Sequence, residues 1–120
     1  MSATLPPTED QISAIVSDYV DEARRDYVGL WQISIRVRRD FNTKSEAENK
    51  KIVLKIVDKM LQNGLEAVTL VSSGPGCIRW KDQEATSILS RISNEWDRLG
   101  RSPSVGEIVW FDNPDTDKRN

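Results

Sequence analysis

The stretch from Ser45 to Leu65, SEAENKKIVLKIVDKMLQNGL, constrains the fold of this chain more than any other. On a wheel at about 100° per residue, Ile52, Val53, Leu54, Ile56, Val57, Met60 and Leu61 cover an arc of roughly 180°. A helix resting on one flat neighbour needs an apolar stripe only a little over about 100° wide. This helix has to be covered from two sides, which makes it the central helix of a small domain. Both of its ends are written in the sequence. Ser45 with Glu48 makes a capping box: the hydroxyl accepts one orphan backbone N–H and the carboxylate reaches back to another. Asn63-Gly64 is a stop, because glycine accepts the left-handed conformation that closes a helix.

The flanking segments are read in the same way. Thr8 and Gln11 form a second capping box, with Glu9 and Asp10 in the first turn where the helix dipole favours negative charge. Ile12, Ile15, Val16, Tyr19, Val20, Ala23 and Tyr27 recur at helical spacing, which predicts a helix over 9–27. VGLWQISIRVRRDF fits two periods. Trp31, Ile33, Ile35 and Val37 alternate with polar residues as a strand would. Leu30, Ile33, Val37 and Phe41 share a helical face that leaves Ile35 as the misfit. A lone strand here would need a distant partner and the next element is helical, so a helix over 29–40 is expected. LEAVTLV and CIRW flank the turn SSGPG, a hairpin of about 65–71 with 76–80. Asp82 is the expected cap of a last helix with the stripe Ala85, Ile88, Leu89, Ile92, Trp96 and Leu99, stopped by Gly100 and Pro103. EIVWF at 107–111 is a third strand candidate, added to the hairpin's edge. The expectation is one α+β domain over 1–120, four helices around a small antiparallel sheet, with an arm at 1–7 and a frayed tail at 112–120.

A chain of 120 residues can bury a core without disulfides or metals. Its single cysteine, Cys77, excludes an intrachain disulfide framework. The chain has no histidine, which removes the commonest general base and the commonest metal ligand together. SSGPG lacks the Gly-Lys-Ser/Thr ending of a phosphate loop, and no metal-ligand spacing is present. Cys77 has no histidine to activate it as a nucleophile. No catalytic residue, cofactor or metal is therefore expected. The apolar runs are too short to span a membrane, so no membrane partner is expected. MSATLPPTED lacks the basic end and apolar stretch of a secretory signal, which leaves the cytoplasm as the expected compartment. The net charge of −2 does not favour general affinity for nucleic acid.

Two surfaces stand out as candidates. Of the four tryptophans, Trp96 fits a buried helical stripe. Aromatic residues with arginine dominate interface hot spots, so Trp80, Arg98, Arg101, Trp110 and Phe111 are the candidate protein-binding residues. The alternative is that the aromatics roof a small core. Lys51, Lys55 and Lys59 form one row on the central helix and, with Lys44, are the candidate nucleic-acid contacts. A charge run at this spacing is ordinarily a solvated face. Arg36, Arg38 and Arg39, with Arg24 and Arg25, form a basic patch that could hold an acidic partner or pair locally with Asp21, Asp26 and Asp40.

Three helices followed by a hairpin, with the junction KMLQNGLEAVTL, resemble the winged-helix arrangement over about residues 8–80. WDRLGRSPSVGEIVWF together with DYVGLWQI is similar to small bacterial proteins of an uncharacterised family. The winged-helix resemblance implies a DNA-binding transcriptional regulator whose third helix points its N-terminal residues at the bases. In this chain those residues are Ser45, Glu46, Ala47 and Glu48, and two carboxylates there would repel phosphates. The favoured expectation is a non-catalytic cytoplasmic module of adaptor, inhibitor or immunity type whose partner is another protein. The winged-helix regulator is the alternative.

Overall fold

The central helix is surrounded as its sequence requires. In the computed structural model, which describes residues 6–71 and 76–114, it is α3, Glu46–Gln62. The elements run α1 (Glu9–Glu22), β1 (Val28–Gly29), α2 (Leu30–Phe41), α3, β2 (Glu66–Leu70), β3 (Cys77–Arg79), α4 (Ala85–Leu99) and β4 (Trp110–Asp112). Helices α1, α2 and α4 all pack on α3. Val53, Ile56, Val57 and Met60 are fully buried, and Ile52, Leu54 and Leu61 are half-buried at the edges of the arc. The fold is α+β, four helices with one four-stranded antiparallel sheet.

The ends of the helices follow their caps, with corrections. Thr8 and Gln11 make the full reciprocal box at the start of α1. Ser45 Oγ accepts from Glu48 N at 3.1 Å, but the Glu48 carboxylate takes the N–H of Lys44 rather than that of Ser45. Helix α1 stops at Glu22, not at residue 27. The chain turns at Ala23, and the Asp26 carboxylate takes the N–H of Tyr27 at 2.7 Å. This turn frees Val28–Gly29 to pair with Phe111 and Trp110. Helix α2 forms as expected and closes on Asn42 in the left-handed region. Helix α4 starts at Ala85 with Glu84 in the cap position; Asp82 instead accepts from Glu84 N at 2.9 Å. Gly100, at φ 68°, ends it.

The sheet order is β1-β4-β2-β3. The strand expected on the hairpin's edge does pair with β2, and it is an interior strand because the two-residue β1 pairs on its far side. The frayed tail expected from Asp112 is corrected in part: Asp112 belongs to β4, and Asp112 and Asn113 are buried. The turn at 72–75, the first five residues of the arm and the tail from 115 lie outside the described residues.

Register decides which side chains meet. Val28, Phe111 and Ala67 sit abreast and are buried in the main core under the helices. Gly29, Trp110 and Val68 sit abreast one residue along, and so on the opposite, outer face. Gly29 is required there by space. A Cβ added to it would lie 2.5 Å from Trp31 Nε1, 2.6 Å from Trp31 Cδ1 and 3.1 Å from Trp110 Cζ3. Gly29→Ala is expected to cost about 1–3 kcal/mol, the usual range for overpacking. A lowered denaturation midpoint with altered tryptophan emission is the expected signature. An unchanged midpoint would contradict the close packing of Trp31 on Gly29.

Candidate protein interface

The five residues singled out as protein-binding candidates do not converge on one surface. Phe111 is fully buried in the core. Trp80 is buried as well; its indole N–H donates to Thr69 Oγ1 at 3.1 Å, and the Arg91 guanidinium lies 3.7 Å over its ring. Arg98 is exposed on α4. Arg101 is exposed at the start of the loop after α4 and makes a two-pronged contact to Glu107 at 2.7 and 2.9 Å. Trp110 alone of the five lies on the outer sheet face, half-buried. The strand period explains the separation of Trp110 from Phe111, since neighbours on a strand face opposite ways.

What the outer face does hold is a second tryptophan. Trp31, at the start of α2, and Trp110, on β4, approach each other over Gly29. The Nε1 of Trp31 is buried without a hydrogen-bond partner among the described residues. One turn further along α2, Ile35 is 54% exposed. The loop from Ser102 to Val109 is tied to α2 at both ends. Arg38 Nη2 donates to Ser102 Oγ at 2.8 Å, and Leu30 N donates to Val109 O at 3.2 Å. The loop therefore runs antiparallel beside α2, and it carries Val105, 68% exposed. Ile35 was already the residue that fitted no buried helical face, which was the available signal for an exposed apolar side chain. The proximity of Trp31 to Trp110 had no local signal.

The loop is built on charge. Ser104 N donates to Glu107 Oε1 at 2.6 Å, and Val109 N donates to Glu107 O across Ile108, which holds a φ of 72°. A β-branched residue at positive φ is a strained conformation. The Arg101 guanidinium, followed by the Ser104 backbone N–H, lowers the Glu107 carboxyl from 4.5 to about 2. A depressed carboxyl stabilises the loop fully above its unfolded value of 4.5, and that contribution is lost as pH falls through about 2. A carbon-13 titration of the Glu107 carboxyl is expected to show a midpoint near 2. In Arg101→Gln the midpoint should rise towards the ordinary glutamate range. An unshifted midpoint in the unmodified chain would contradict the pairing.

The lysine candidates divide. Lys55 and Lys59 both reach Glu9 of α1, at 2.9 and 3.5 Å. Lys44 and Lys51 are exposed without an ion-pair partner among the described residues. The arginine patch is paired in large part: Arg25 with Asp21, Arg36 with Asp18 and Asp40, Arg39 with Asp40.

The expected exposure of Glu46 to a ligand needs correction. Its carboxylate accepts from Trp96 Nε1 at 2.7 Å, Arg38 Nη2 at 2.6 Å and Ser102 Oγ at 2.6 and 2.8 Å. Partial burial works to raise its pKa, but the hydrogen bonds from Ser102, Trp96 and Arg38 outweigh it and the net shift is downward. One turn on, Lys50 Nζ meets Asp97 Oδ1 at 2.7 Å. The N-terminal turns of α3 are thus tied to α2, α4 and the following loop.

Among the described residues, no group of three or more acidic, cysteine or histidine side chains could hold a metal ion, and no helix is long and apolar enough to cross a membrane. Cys77 is a free, half-buried thiol on the edge strand β3. No protein-family model, curated protein or solved structure matches this chain.

Proposed function

We propose that this chain is a non-catalytic, cytoplasmic protein-binding module of adaptor, inhibitor or immunity type. The observation that carries the reading is the pair Trp31, at the start of α2, and Trp110, on the outer sheet face, both half-buried, with Ile35 exposed one turn along α2. Aromatic anchors of this kind are the residues that dominate protein interfaces. The test is capture of a defined polypeptide by the immobilised folded chain, repeated with Trp110→Ser. Capture lost in the variant and kept in Lys51→Gln supports the reading. Capture indifferent to Trp110 counts against it.

A winged-helix DNA binder is the second reading, and the order of elements favours it. A helix, a very short strand, two helices and a hairpin are the succession such a domain needs. Against it stands the end of α3 that would approach the bases, which is tied down by Glu46 and Lys50. Only Lys44 and Lys51 of the four candidate lysines are free for phosphate among the described residues. Each phosphate contact contributes about −0.9 to the salt slope of affinity. A DNA-binding chain should therefore lose about two units of slope when both lysines become Gln. The expected result is no sequence-selective shift of DNA at about 150 mM salt. Nanomolar, sequence-selective binding there would reverse the ranking.

A further inference from the structure

We infer that the Trp31–Trp110 seam receives a proline-rich segment of another polypeptide in the extended polyproline II conformation. This rests on the protein-binding reading and names the class of partner.

Three observations restrict the occupant. The first is size. Ile35 and the exposed parts of the two indoles offer on the order of 200 Å². A stable interface between globular partners, or between two copies of this chain, buries roughly 800 Å² on each side. A short linear segment fits the smaller figure.

The second is the N–H of Trp31, which has no hydrogen-bond partner among the described residues. A buried donor without an acceptor costs about 1–3 kcal/mol, so an acceptor brought by a partner is worth more here than at an exposed site. The middle of a helix has no carbonyl to give, since its carbonyls are bonded within the helix. An added β-strand needs a ladder edge. The edge beside Trp31 is β1, which is two residues long, and the N–H of Gly29 is already held by Gln32 Oε1 at 2.7 Å. A polyproline II segment has no internal hydrogen bonds, so its carbonyls are free to accept.

The third is shape. Two indoles meet over a residue that has no side chain. Adjacent indoles are the surface on which the flat rings and preformed backbone of proline-rich peptides dock. Docking moves the Trp110 ring aside and brings a peptide carbonyl to Trp31 Nε1.

The experiment titrates the full chain, labelled with nitrogen-15, with a synthetic peptide of repeated Ala-Pro-Pro triplets and with a control in which every proline is alanine. The indole N–H signals are assigned by Trp→Phe substitution. The expected result is a saturable shift of the Trp31 and Trp110 signals with the proline peptide alone. Trp31→Phe keeps most of the apolar area and removes the donor, so it should weaken binding by about three- to tenfold. Trp110→Ser should abolish it while Trp80 and Trp96 signals stay in place.

Equal binding of the control, shifts confined to other signals, or full affinity in Trp31→Phe would each overturn the proposal. So would a dimer by sedimentation that dissociates in Ile35→Asp, because the occupant would then be a second copy. No shift with the peptide, together with Trp110-dependent capture of a polypeptide, would sink this inference and leave the protein-binding reading standing. Capture indifferent to Trp110 would sink both.

Discussion

Val57→Asp is expected to remove the cooperative unfolding transition of the domain altogether. Val57 sits on α3 with no exposure to solvent, among side chains from the helices that surround it. An aspartate there has no cation to pair with inside the apolar arc. Leaving a carboxylate unpaired in a protein interior costs several kcal/mol, or forces its protonation at a similar cost. A domain of this size has on the order of 5–15 kcal/mol of stability in total. The measurement is a denaturant titration followed by circular dichroism. Lys51→Ala on the solvent side of the same helix serves as a control for helix propensity. A cooperative transition near the wild-type midpoint in Val57→Asp would mean that α3 is not the centre of the fold.

Trp96→Ala is the second large effect, with an expected loss of about 3–5 kcal/mol for deleting a buried tryptophan. The residue is 2% exposed and does two things at once. Its ring fills the core between α4 and α3. Its N–H, at 2.7 Å, is one of the three donors that hold the Glu46 carboxylate at the start of α3. Trp96→Phe separates these roles, since it keeps much of the packing and removes the N–H. Its extra cost should be about 1–2 kcal/mol, kept low because Glu46 is partly open to water and still has Arg38 and Ser102. Chemical denaturation of both variants checks the pair of values. A Phe variant as unstable as the Ala variant would assign the whole effect to the hydrogen bond. A Phe variant equal to wild type would assign it to packing.

Most of the helices were legible from sequence because their causes are local. The wide apolar arc of α3 required cover from two sides, and α1, α2 and α4 pack on it. Thr8 with Gln11 and Ser45 marked helix starts because a cap acts over three residues, within reach of the eye along the chain. The hairpin was legible for the same reason: two β-rich runs with a turn between them pair with each other. Asn49 was not legible. It lies inside α3 yet is fully buried, accepting from Thr43 Oγ1 at 2.9 Å and donating to Ser34 Oγ at 3.0 Å. A polar residue at such a position looks like solvent until the partners that satisfy it are in place.

What the chain alone determined about this protein is its set of helices and the hairpin, since periodicity and caps are properties of a few consecutive residues. What only the tertiary structure decided is how distant segments meet. Tyr27 followed the helical period of α1 but left the helix, because pairing of Val28–Gly29 with β4, over eighty residues away in sequence, outweighed a weak local propensity. Glu46 reads as a charge facing outward, yet it holds α2, α4 and the loop after it together, because its three donors come from three separate segments. Trp110 and Phe111 are neighbours in sequence and lie on opposite sides of the sheet, and only the register with Gly29 and Val28 decides which one faces Trp31 and which enters the core. Contacts of that range depend on the whole chain having closed on itself, so no window of sequence contains them.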